Sequence, residues 1–287
     1  MEQLEEEREL VGRAMAGNLK SMERLLQSIQ DGVFGLAVKF LWHPEDAEDA
    51  TQEILLRIVT HLHTFRFESR FSTWSYRVAV NYLLNVRRSR AERLHAEQAF
   101  IDPDRVADAG GPSFVEDVEQ QILAGHVRVA CSHGMLMALE REDRMVFLLG
   151  VVMGISGADA ARIMDISPVA YRKRLSRARQ RMQTFVEGRC GLIRSSNACR
   201  CDRRVRQSQE AGILQPYLDL SAELQRSGRY EATEMRMLAD QKQLNTIGEL
   251  FANKALSRTP ERVLDRVRAL FRSDKLHVLR ETMPDVN

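Results

Sequence analysis

The chain has 287 residues, with 42 basic and 40 acidic side chains and a net charge of +2. So slight a charge gives no general attraction to DNA or membranes, and any affinity for nucleic acid must come from local patches. No apolar run is long enough to span a bilayer, and the acidic start MEQLEEERELVGR is unlike a signal peptide, so a cytoplasmic protein without membrane contact is expected. The length suits two or three small domains. Helical periodicity dominates and strand alternation is scarce, so the expected fold class is all-α.

The first informative segment is PEDAEDATQEILLRI, residues 44–58. Pro44 suits a first helical position, and Ala47, Ala50, Ile54 and Ile58 recur at helical spacing. Asp46, Asp49 and Glu53 fall on a neighbouring stripe, flanked by Glu45, Glu48 and Gln52. Five carboxylates within residues 44–53 exceed what the positive end of a helix dipole would attract, so this face suits a basic partner. The alternative is a solvated acidic face. No His or Cys joins these acids at metal-ligand spacing.

Phe65, Phe67, Phe71, Trp74 and Tyr76 follow, interleaved with Arg66, Arg70 and Arg77. Rings beside cations suit single-stranded nucleic acid, because a base stacks on a ring while a cation neutralises phosphate. Ser72 is the expected N-cap of the next helix. On it Trp74, Val78 and Tyr82 form one stripe. Arg77, Asn81, Asn85 and Arg88 form another, polar and basic, and Asn can pair with base edges. Periodicity alone would place Phe71 and Trp74 in a core.

Residues 102–119, DPDRVADAGGPSFVEDVE, carry Pro, Gly and acid without periodicity and mark a linker. Beyond it, a helix is expected at Arg141–Met153, punctuation at Gly154 and Gly157, a short helix at Ala158–Met164 and a turn at Asp165–Ile166. Ser167 and Pro168 then start a helix whose core stripe is Tyr171, Leu175, Ala178 and Met182. Its other faces hold Arg172, Lys173, Arg174, Arg177, Arg179 and Arg181, with no acid from Ser167 to Gln183. A short helix, a tight turn and a basic second helix form the geometry that reads a major groove. A basic surface helix without DNA function is the competing reading.

These segments together resemble a bacterial RNA polymerase sigma factor of the extracytoplasmic-function type, in the sigma-70 family. DAEDATQEILLRI resembles that family's polymerase-docking region, which grips a coiled coil of the β′ subunit. The likeness implies that Asp46, Asp49, Gln52 and Glu53 lie at the docking face. FRFESRFSTWSYRVAVN resembles the region that melts and recognises the downstream promoter element. By that likeness Phe65, Phe71, Trp74, Arg77 and Asn81 lie at or near the extruded strand, with Arg88 on the same face. LEREDRMVFLLGVVMGISGADAARIMDISPVAYRKRLSRARQRM is similar to region four, whose recognition helix carries over as Arg172, Lys173, Arg174 and Arg177. The implied partners are the polymerase core, through the β′ coiled coil and the β flap, promoter DNA, and in some settings an anti-sigma factor. Asp165 stands where the family often has Gly, and Phe67 where a small residue is common.

The resulting organisation is region 2 over 1–95, a linker over 96–134, region 4 over 135–187 and a helical extension over 188–287. The extension begins GRCGLIRSSNACRC, and Cys190, Cys199 and Cys201 leave three readings open. These are zinc with a fourth ligand such as Cys131, a redox-responsive thiol pair, or inert thiols. Two to four further helices are expected, with stripes at Leu244, Ile247 and Phe251 and at Val263, Val267 and Leu270. Thr259-Pro260-Glu261 reads as a helix start. No catalytic set is recognisable, and neither an enzyme activity nor an obligatory cofactor is expected. The competing function is a conventional helix-turn-helix regulator with a metal- or redox-sensing C-terminal domain, which leaves the acidic helix and the aromatic loop unexplained.

Overall fold

The structure is a computed structural model that describes residues 2–86 and 118–272. Arg88 and most of the Pro/Gly-bearing segment lie outside the described residues. All extended elements among these residues are helices, apart from one isolated bridge between Cys190 and Cys199, as the all-α expectation requires.

The N-terminal part is built from α1 (Glu2–Met15), α2 (Leu19–Leu41), α3 (Pro44–Thr60) and α4 (Phe71–Asn85). The Asn18 side chain accepts the Ser21 N–H at 3.0 Å and so caps α2. Trp42 closes α2 in the left-handed region (φ 58°), and Pro44 opens α3 two residues later. α2 carries a nearly continuous buried run from Val33 to Leu41, because it is covered on several sides.

Ser72, expected to cap α4, lies inside the helix instead. The helix begins at Phe71, and the Glu7 carboxylate on α1 accepts the Phe71 N–H at 2.8 Å. A carboxylate from another helix thus does the work expected of a local hydroxyl.

The expected linker reached residue 134, but α5 (Val118–Met135) occupies its last part. α5 is the spine of the molecule. The Trp42 indole donates to the Ala130 carbonyl at 2.8 Å, and a Cβ on Gly134 would stand 2.8 Å from that ring. On another side, a Cβ on Gly125 would overlap the backbone of Met235. Two glycines therefore let one neighbour of α5 pack on either side, and this close approach removed the apolar periodicity that would have marked a helix.

Region four follows as α6 (Arg141–Phe147), which widens into a π turn over Leu148–Val152, then α7 (Gly157–Ile163) and α8 (Pro168–Glu187). Ser156 caps α7 and Ser167 caps α8. The helix expected at Arg141–Met153 is thus present, with a widened last turn. Tyr171 on α8 donates to the Val146 carbonyl at 3.3 Å, and burial pushes its phenol up to about 12.

The extension contains α9 (Val205–Glu210), α10 (Gln215–Arg226), α11 (Ala232–Asp240), α12 (Ile247–Phe251) and α13 (Glu261–Arg272), more helices than expected. It does not stand apart as its own domain. Among the described residues one apolar cluster joins Phe34 and Phe40 of α2, Phe147 of α6, Tyr171 of α8, Tyr217 of α10 and Phe251 of α12. The segments read as separate domains therefore share a core. Polar side chains reinforce the junctions: Arg144 donates to the Phe40 carbonyl at 2.7 Å, Arg141 to the carbonyls of Leu83 and Val86, and His133 Nδ1 lies 3.0 Å from the Tyr217 hydroxyl.

Candidate nucleic-acid interface

Of the four residues assigned to docking, Asp49 is the most open, with 80% of its side chain exposed. Asp46, Gln52 and Glu53 are half-buried. Glu53 accepts from Arg57 one turn on, at 2.9 Å, and Arg57 lies over the Tyr82 ring of α4. The acids of this face thus sit on a helix held rigid by α2 and α4.

The aromatic loop is rearranged relative to the expectation. Phe65 and Phe71 are 5% and 2% exposed and belong to the core, so neither offers a ring to a base. Phe71 packs inward, and Phe65 only borders the cleft that Trp74 lines. Phe65 packs against Phe67, Phe71 and Trp74 with centroid separations of 4.9, 6.2 and 5.6 Å. Trp74 is half-buried and lines an open cleft of about 980 Å³ with Arg66, Thr73, Arg77, Arg162 and Asp165. Phe67 adopts φ 59°, a left-handed conformation that a bulky side chain rarely takes. Asn81 is half-buried on α4, and Asn85 donates to its carbonyl at 2.8 Å. Arg77 reaches across to Asp165 in the turn between α7 and α8, at 3.3 Å. Asp165 has φ 52°, so the aspartate takes the conformation that glycine would otherwise supply.

On α8 the side chains of Arg172, Lys173 and Arg177 are exposed together. Arg174 is not free with them: it pairs with Glu142 and approaches Asp143 at 3.8 Å on α6, while Arg181 meets Asp143 at 3.2 Å. The sequence showed no acid from Ser167 to Gln183, but α6 supplies two across the helix crossing.

The cysteines are free thiols. Burial raises Cys190, raises Cys131 strongly, and pushes Cys201 up to about 12, so these thiols resist ionisation. Among the described residues no three Cys, His, Asp or Glu groups are arranged to hold a metal ion.

A charged face opposite an apolar one, a basic cleft lined by Trp74 and an exposed triad of cations on a helix-turn-helix define a helical, multi-surface DNA-binding protein. The family comparisons narrow the class. Residues 25–93 match the model described as Sigma-70 region 2, and residues 132–182 match Sigma-70, region 4. The RNA polymerase sigma-H factor of Pseudomonas aeruginosa is 29% identical over 189 residues, spanning 64% of this chain and 95% of that protein. The ECF RNA polymerase sigma-E factors of Haemophilus influenzae and Escherichia coli are 28% and 27% identical, spanning 62% of this chain and 94% and 93% of their own lengths. A solved structure of CnrH in complex with the cytosolic domain of CnrY aligns with a TM-score of 0.45 at 22% identity, covering 63% of this chain and 97% of that one.

The chain belongs to the sigma-70 family, in its extracytoplasmic-function branch, and is a promoter-specificity subunit of RNA polymerase. The match to region 2 disfavours the conventional-regulator alternative, which has no use for that module. More than a third of the chain lies outside the alignments to these relatives. No helix among the described residues is long and apolar enough to cross a membrane.

Proposed function

We propose that this subunit docks on the polymerase core through the acidic face of α3. Asp46, Asp49, Gln52 and Glu53 would meet the basic surface of the β′ coiled coil, and α6–α8 would meet the β flap. The exposed cations Arg172, Lys173 and Arg177 on α8 would bind the upstream promoter element, with Arg174 positioned by Glu142 and Asp143. Trp74, Arg77 and Asn81, rather than Phe65 and Phe71, would meet the melted downstream element. The reading requires no catalysis and no cofactor from this chain, and a cytoplasmic location follows from its partners. An anti-sigma factor would act by occupying the same surfaces.

The observation that carries this reading is the placement of a rigid acidic helix beside a basic aromatic cleft, with a helix-turn-helix on the same core. Stacking on one ring is worth roughly 1–3 kcal/mol, enough for a single half-buried Trp74 at the edge of the cleft to matter. The test is promoter-dependent transcription by purified core polymerase supplemented with the full chain. Initiation at specific start sites supports the proposal. Duplex binding by the chain alone, with no initiation on a promoter panel, would contradict it.

A further inference from the structure

The last described helix lies on the face assigned to polymerase docking. α13 packs along α3, and its apolar residues Val263, Leu264 and Val267 are buried. Arg262 forms two hydrogen bonds to the Glu48 carboxylate, from Nε at 2.6 Å and from Nη2, and also meets Glu223 of α10. One turn on, Arg266 approaches Gln52 at 3.4 Å and Asp49 at 3.8 Å. Cations four residues apart on one helix thus face groups four residues apart on the other, the register of two packed helices.

The approach to α13 is fastened as well. Asp31 on α2 accepts the Thr259 N–H at 2.9 Å and takes both hydrogen bonds of Arg229, at 2.7 and 2.9 Å. Just before it, Lys39 donates to Ser257 at 2.7 Å. A strap running from Ser257 to Thr259 is thereby laid along α2 and delivers α13 onto α3.

We infer that α13 is an internal occupant of the docking face, a basic helix that competes with the polymerase core for α3. The inference rests on the reading of α3 as the docking surface. The chemistry is the same in both cases: an acidic helical face met by a helix that offers arginines. The two occupants overlap on the Glu48 and Gln52 side of α3, because packed helices stand about 8–10 Å apart and a second helix laid along that side needs the space that α13 fills. The exposed pair Arg266–Asp49 holds α13 only weakly, whereas the Arg262–Glu48 pair, with its acid 5% exposed, holds it more firmly. A contact of this kind lowers apparent affinity by the fraction of molecules that are open. Among the described residues neither Asp46 nor Glu53 forms a hydrogen bond or ion pair with α13, so both are open for a partner to test first.

The experiment measures binding of purified polymerase core to three full-length forms: the unmodified chain, Arg262→Glu with Arg266→Glu, and Val267→Asp. The last places a charge in the apolar seam without altering any acid of α3. Hydrogen exchange of residues 261–272 reports whether α13 has left, and circular dichroism reports retention of the remaining helices. The expected result is loss of protection in α13 together with at least about fivefold tighter binding in both variants. Unchanged or weaker binding with α13 displaced would overturn the inference. Protection retained in both variants would overturn it too, because the helix would then not be held by this seam. The docking reading is checked separately by adding Asp46→Lys and Glu53→Lys to the Val267→Asp form. A fall in affinity upholds that reading whatever the first comparison shows, and no fall removes it.

Discussion

Arg77, on the helix assigned to downstream-element recognition, forms an ion pair at 3.3 Å with Asp165, in the turn of the helix-turn-helix. The pair joins two DNA-binding modules through groups that are 42% and 76% exposed, so it contributes little to stability. The conformation of Asp165 matters more. Its φ of 52° is one that Gly adopts freely and a β-branched residue does not. Asp165→Gly should therefore change unfolding free energy by less than about 1 kcal/mol, while Asp165→Val should cost roughly 1–3 kcal/mol. Urea denaturation of the two variants gives the comparison, and equal losses would contradict the backbone argument.

Phe71 separates structural from functional aromatics. Buried among Phe65, Trp74 and the α4 core, it should cost roughly 3–5 kcal/mol on replacement by Ala. Phe71→Leu, which keeps most of the apolar volume, should be tolerated far better and retain promoter opening. Trp74→Ala should depress open-complex formation, followed by permanganate reactivity of unpaired thymines, with a smaller loss of stability. If Phe71→Leu abolished opening in a stably folded protein, its ring would have a role beyond packing.

Much of this was legible because the informative residues are local signals. Pro44, Ser167 and Pro168 start helices where their chemistry suggests, and Asp165 supplies the left-handed turn. The missing parts all depend on distant partners. Glu7 caps α4 from sixty-four residues away in sequence, Glu142 and Asp143 neutralise cations on α8, and Arg262 finds Glu48 across 214 residues. Periodicity pointed Phe71 into a core while the family resemblance set Phe65 and Phe71 near the extruded strand, since an aromatic side chain can serve either purpose. α5 went unseen because Gly125 and Gly134, needed for close helix approach, interrupt the pattern on which helix recognition depends.

The cations of α8 should not contribute equally to DNA binding. Arg172, Lys173 and Arg177 are exposed, whereas Arg174 already has carboxylate partners. Arg172→Ala and Arg177→Ala should each weaken upstream-element binding and, where the side chain meets a phosphate, lower the slope of log affinity against log salt by roughly 0.9. Arg174→Ala should change that slope less, because its counter-charge comes from the protein. Titrations by fluorescence anisotropy at several salt concentrations, with the subunit bound to core, measure this directly. A larger slope change for Arg174 than for Arg172 would reverse the assignment.

Lys39 supplies the pH prediction. The residue is 5% exposed, its ammonium group hydrogen-bonds to Ser257, and burial lowers its pKa to about 8 from 10.5. A lysine whose folded pKa is depressed costs stability below that pKa, and the cost disappears as pH rises toward the unfolded value. The depression corresponds to about 3 kcal/mol at pH 7, partly offset by the bond to Ser257. Lys39→Met, which keeps the length and removes the charge, should therefore be more stable than the unmodified protein by roughly 1–3 kcal/mol at pH 7. That advantage should shrink between pH 8 and 10.5. Buried thiols and phenols with raised pKa values, Cys201 and Tyr217 among them, make both proteins less stable in the same alkaline range. Their effect is common to the two forms and cancels in the difference. Paired denaturant titrations at pH 7, 8.5 and 10 measure that difference, and a gap that stayed constant or widened with pH would show that Lys39 is not charged at the expense of the fold.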